Sequence, residues 1–128
     1  MKIFVYSKNN NSDSERLKNM IDSFHFDCEK ELFHSLNNFT NQLRREINSE
    51  IIIIILTVDF TDFHEIYSIR DLLQNFRIIL ILPNLEEATI SKGFECYPRY
   101  VSYINSDYSD VISILNKMVE RGLSSNLR

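Results

Sequence analysis

Apolar positions along this chain fall alternately into short unbroken runs and helically spaced stripes. Lys2-Ile3-Phe4-Val5-Tyr6 is an apolar, β-rich run bounded by the polar stretch Ser7 to Ser14, which predicts a strand. Leu17, Met20, Ile21 and Phe24 then repeat at helical spacing, and Ser12 with Glu15 has the spacing of a capping box. Glu31-Leu32-Phe33-His34 predicts a second strand, and Phe39, Leu43 and Ile47 mark one face of a helix ending near Ser49. The run Ile51 to Leu56 holds six consecutive bulky aliphatics, so it cannot alternate between core and water. It predicts a central parallel strand covered on both faces.

The alternation continues to the end of the chain. Phe63, Ile66, Ile69, Leu72, Leu73 and Phe76 follow helical spacing, with Thr61 or Asp62 placed to cap the helix. Arg77 to Leu82 predicts a second buried strand stopped by Pro83. Glu86 to Lys92 predicts a short helix closed by Gly93 at the left-handed C′ position. Tyr100 to Ile104 predicts a fifth strand, and Val111, Ile112, Leu115, Met118 and Val119 a last helix stopped by Gly122. Strict β-α alternation implies a parallel sheet with helices on both faces, an αβα sandwich. Five strands in a chain of this length fit the flavodoxin-like order 2-1-3-4-5. The expected organisation is one domain over residues 1–123 and a polar tail over 124–128.

Composition then removes several functions. The chain carries only Gly93 and Gly122, too few for a Walker A loop or a dinucleotide fingerprint. A formal net charge of −4 argues against nucleic acid or an anionic membrane as the main partner, and Arg44-Arg45, followed by Glu46, reads as a solvated helix face. The opening residues lack a signal peptide, and the longest apolar run falls far short of the about 20 residues a membrane helix needs. Cys28 and Cys96 lack metal-site or disulfide-framework spacing and read as reduced thiols of a cytoplasmic protein.

The C-terminal third carries a family resemblance. Ile90 to Glu95, Tyr100 to Ile104 and Ser106 to Met118 are similar in spacing to the helix-glycine-strand-helix segment of two-component receiver domains. That resemblance implies an acidic pair after strand 1, an acceptor aspartate ending strand 3, a Ser or Thr ending strand 4 and a lysine ending strand 5. This chain instead presents Ser7 and Lys8, then Thr57 with Asp59 beyond it, then Pro83, then Tyr103. Phosphoryl transfer to a carboxylate needs carboxylates around magnesium and a cation for the transferred oxygens, and Lys8 stands where a metal ligand belongs. The expectation is a pseudo-receiver: a non-catalytic signalling module with no cofactor, binding a protein partner or a second copy of itself. Tyr97, Tyr100, Tyr103 and Tyr108 cluster around strand 5, on the face through which receivers associate, and are its candidate contact residues.

Two other readings stand beside it. Phe4 to Lys8, Ser12-Asp13 and Leu56-Thr57 also resemble a TIR domain, which implies NAD cleavage with Glu65 as its glutamate, in a chain that has no tryptophan. The loop Ser7 to Ser12 offers hydroxyls, amides and a lysine to a small anion or nucleotide at the strand ends. Asp59, Asp62, His64 and Glu65 are metal-ligand types, but their spacing suits the acidic start of a helix better. His25, His34 and His64 have no nucleophile at a recognisable spacing, and Cys96 no neighbouring base.

Overall fold

The computed structural model describes residues 1–8, 11–23, 28–46 and 50–126, with side chains described as far as Arg121. Five strands alternate with five α-helices: β1 Lys2–Ser7, α1 Ser12–Ser23, β2 Glu29–Phe33, α2 Leu36–Arg45, β3 Ile51–Leu56, α3 Phe60–Ser68, β4 Arg77–Leu82, α4 Glu87–Phe94, β5 Pro98–Tyr103 and α5 Ser109–Asn126. All strand pairs are parallel, in the order β2-β1-β3-β4-β5.

Six apolar residues in a row can only be buried if both sheet faces are covered. All six residues of β3 are buried. Ile53 and Ile55 pack with Phe4, Tyr6 and Leu80 against Phe39 and Leu43 of α2 and Phe63 and Ile66 of α3. Ile52 and Ile54 pack with Ile3, Val5 and Ile79 against Leu17 and Ile21 of α1 and Val111, Ile112 and Leu115 of α5. Thus α1 and α5 cover one face, and α2, α3 and α4 the other.

Several local details differ from the sequence reading. The reciprocal cap of α1 joins Asn11 and Ser14: Ser14 N donates to Asn11 Oδ1 at 2.9 Å, and Asn11 N to Ser14 Oγ at 2.8 Å. Ser12 is already inside the helix, so the cap lies one residue earlier than Ser12 and Glu15 suggest. The stripe from Phe63 to Phe76 is not one helix, because α3 ends at Ser68 and a 3-10 turn spans Arg70–Leu73. Both pieces still turn the same apolar residues to the core.

Gly93 is not a left-handed terminator, since no described glycine has positive φ. It lies inside α4, and a Cβ there would meet Leu82 Cδ2 at 3.0 Å, so its smallness lets the helix sit close on β4. α5 continues through Gly122 to Asn126. One glycine costs a helix only about 1 kcal/mol, and the residues of the expected tail as far as Asn126 carry on the helix. The expected helical positions Phe24, Ile47 and Ser49, and His25, lie outside the described residues.

Candidate functional site

β1 and β3 are neighbours, with Ser7 paired to Leu56, so the segments leaving them emerge side by side. From there the chain order runs outward in both directions, and open α/β sheets hold ligands at such a switch point. Lys8 follows β1 and Asp59 follows β3. Lys8 Nζ donates to Glu65 Oε1 on α3 at 2.8 Å. That hydrogen bond holds the Lys8 ammonium above its ordinary pKa, and the charges of Asp62 and Asp59 add to it.

Asp59 is the N-cap of α3, with Oδ1 accepting from Asp62 N at 2.9 Å, so neither Thr61 nor Asp62 fills that role. Asp62 is turned inward and buried, and its Oδ2 accepts from Val58 N at 3.3 Å. Burial pushes the Asp62 carboxyl above its ordinary value, against the pull of the Val58 N–H. Tyr6, stacked on Phe39 with ring centroids 4.9 Å apart, is pushed up to about 12 by burial and then by the charges of Glu65 and Asp62. One lysine therefore stands among three carboxylates, where the receiver resemblance asks for a metal. Among the described residues no three of His, Cys, Asp and Glu converge as a metal-binding group.

The other strand-end residues are committed to the frame. Thr57 is buried, and its Oγ1 donates to Ile81 O at 2.6 Å, so its hydroxyl belongs to the β3–β4 ladder. Ser7 is buried, and its carbonyl accepts from His34 Nδ1 at 2.6 Å; a carbonyl only accepts, so Nδ1 carries the proton. Pro83 follows the last residue of β4, Leu82, which pairs with Tyr103 at the end of β5. Glu65, the TIR-like candidate, is the ion-pair partner of Lys8. His64 is exposed and stacks on Phe60. A cavity of about 70 Å³ beside Ser7, lined also by Ser14, Lys18 and His34, falls well below the roughly 300 Å³ of the smallest typical ligand sites.

The four tyrosines separate into two kinds. Tyr97 and Tyr103 are 44% and 40% exposed on the open edge of the sheet, with Phe94 at 62% beside them in sequence. Tyr100 packs inward, donating from its hydroxyl to Asp110 Oδ2 at 2.8 Å. Tyr108 is fully buried, which removes it from any contact face. Its hydroxyl donates to Ile104 O at 3.2 Å, and Arg16 lies 4.6 Å over its ring. Both Tyr97 and Tyr108 hold φ near +60°, a region that bulky residues rarely occupy. Composition signalled the aromatic cluster, but spacing carried no sign of which rings would turn inward.

Cys96 is buried, and burial pushes its thiol up to about 11, disfavouring the thiolate form. No described helix is long and apolar enough to cross a membrane. These elements define an α/β protein of flavodoxin-like topology, with a lysine–carboxylate cluster at its switch point. Comparison of the chain with protein-family models, curated proteins and solved structures finds no match.

Proposed function

We propose that the chain is a receiver-like signalling module that works by protein contact and not by phosphoryl transfer. The Lys8–Glu65 ion pair carries this reading. A magnesium-dependent acceptor site gathers carboxylates around a divalent cation. Here a side-chain ammonium stands among Asp59, Asp62 and Glu65, and a second cation placed there meets like-charge repulsion. Asp59 is engaged as a helix cap and Asp62 faces inward, so both carboxylates have structural work.

Contact falls to the α4–β5–α5 edge. β5 is bonded on one side only, and Phe94, Tyr97 and Tyr103 are exposed along it. Aromatic side chains with polar tips suit protein interfaces. An edge strand is also self-complementary in a two-fold pairing, which makes a second copy of the chain the first partner to test.

Amide NMR of the labelled protein, before and after magnesium with beryllofluoride, tests the central point. The expected result is no change. Shifts centred on Thr57 to Asp62 that spread to Tyr103 would show a working acceptor site and overturn the reading. Sedimentation across concentration, with and without Tyr97→Ser and Tyr103→Ser, tests the face: self-association should weaken in the variants.

A further inference from the structure

The opposite end of the sheet holds a basic cavity, independent of the receiver reading. Arg77 at the start of β4, Arg99 in β5, and Lys117 and Arg121 on α5 line one cavity of about 360 Å³, together with Ile114 and Met118. Four of the chain's 14 Lys and Arg residues thus meet at one concavity, although the chain as a whole is acidic.

Three observations point to a ligand. First, the backbone is altered to present Arg99. Ile78 pairs with Pro98 and Ile79 with Tyr100, so Arg99 is the extra residue of a bulge. Consecutive residues of a regular strand face opposite ways. Here Arg99 lines the cavity beside α5 while Tyr100 packs among the residues facing the same helix. Bulges are used to re-aim side chains in this manner.

Second, among the described residues Glu50 is the carboxylate in ion-pair range of these four cations. Arg77 Nη2 and Glu50 Oε1 form a loose pair at 4.0 Å, beyond hydrogen-bond range, and Arg77 Nη1 and Glu50 Oε2 each have no hydrogen-bond partner among the described residues. Third, placement at a helix end does not explain the group. α5 runs on to Asn126 with no basic residue in its last turn, so its dipole does not account for Lys117 and Arg121, and the other two arginines lie on strands.

Volume and charge then set the ligand class. The cavity lies within the roughly 300–1,000 Å³ of small-molecule sites. One phosphate carries about −1.5 to −2 at pH 7, so four cations against one carboxylate among the described residues call for more than one phosphate group. A bounded concavity on an acidic protein disfavours an extended nucleic acid, which needs a basic stripe. Ile114 and Met118 supply an apolar wall. We propose that this cavity binds a small organic diphosphate of the nucleoside diphosphate type, its phosphates held by Arg77, Arg99, Lys117 and Arg121.

Calorimetric titration with ADP and with inorganic diphosphate, mapped by amide NMR, tests the proposal. The expected result is saturable one-to-one binding, ADP tighter than inorganic diphosphate, and shifts at Arg99, Ile114 and Lys117. Lys117→Gln with Arg121→Gln should weaken binding at least tenfold; both positions are exposed, so the variant should keep its unfolding midpoint. Arg44→Gln with Arg45→Gln changes the net charge equally on another helix and should weaken it less than twofold. No saturable binding at millimolar probe, equal weakening by both variants, or tighter binding of an oligonucleotide or acidic peptide at these residues would overturn the proposal.

Discussion

The two-faced sheet can be tested by removing equivalent side chains from opposite faces of one strand. Ile53 and Ile54 are adjacent in β3 and fully buried, one facing α2 and α3, the other facing α1 and α5. Isoleucine to alanine removes three carbons, worth about 0.8 kcal/mol each when buried, or about 2.4 kcal/mol in transfer alone. A partly collapsed cavity adds roughly 1 kcal/mol more at about 24 cal/mol per Å³, giving about 3–4 kcal/mol for Ile53→Ala and for Ile54→Ala. On the edge strand β2, Leu32 is 42% exposed, so Leu32→Ala should cost about 1 kcal/mol or less. Urea unfolding followed by circular dichroism reads these differences. With a slope of roughly 1.5–2 kcal/mol per molar, the core variants should lose about 1.5–2.5 M in midpoint. A loss below about 1 kcal/mol for either core variant would mean that its face is not packed. A loss at Leu32 equal to those in β3 would refute the strand order.

Two further predictions concern titration and access. Burial holds the Asp62 carboxyl above its ordinary value of 3.8, so the folded state binds its proton more tightly than the unfolded chain does. That contribution to stability is complete below pH 3.8 and is lost as pH rises through the folded value. Asp62→Asn should therefore stabilise the protein at pH 7, with the gain vanishing below pH 3.8; a variant less stable at pH 7 would refute this. Cys96, buried and with its thiol near 11, should resist a thiol reagent at pH 8 until the protein is unfolded, while half-buried Cys28 reacts first. Labelling of Cys96 at equal rates with and without denaturant would contradict its placement.

Much of the fold was legible because burial on both faces writes itself directly into composition. Ile51 to Leu56 and Arg77 to Leu82 could be nothing but central strands, and the stripes of α1, α2 and α5 follow from helical period. Alternation of these elements then limits the topology to few choices. The site was legible only in part. Lys8 and Asp59 could be placed at the strand ends from sequence, but the ion pair of Lys8 joins residues 57 positions apart.

The strands, the main helices, their order and the faces they bury follow from residues a few positions apart, and so are written along the chain. Which polar groups meet is a matter of packing. Arg77, Arg99, Lys117 and Arg121 look scattered along the chain and converge because α5 runs back beside β4 and β5 and a bulge turns Arg99 toward it. Tyr108 was separated from Tyr97 and Tyr103 in the same way, its ring packing into the core just before α5 while theirs stay exposed. Local pattern records how much of a segment is apolar. Convergence of charge depends on how the segments pack, and no single stretch of sequence contains that.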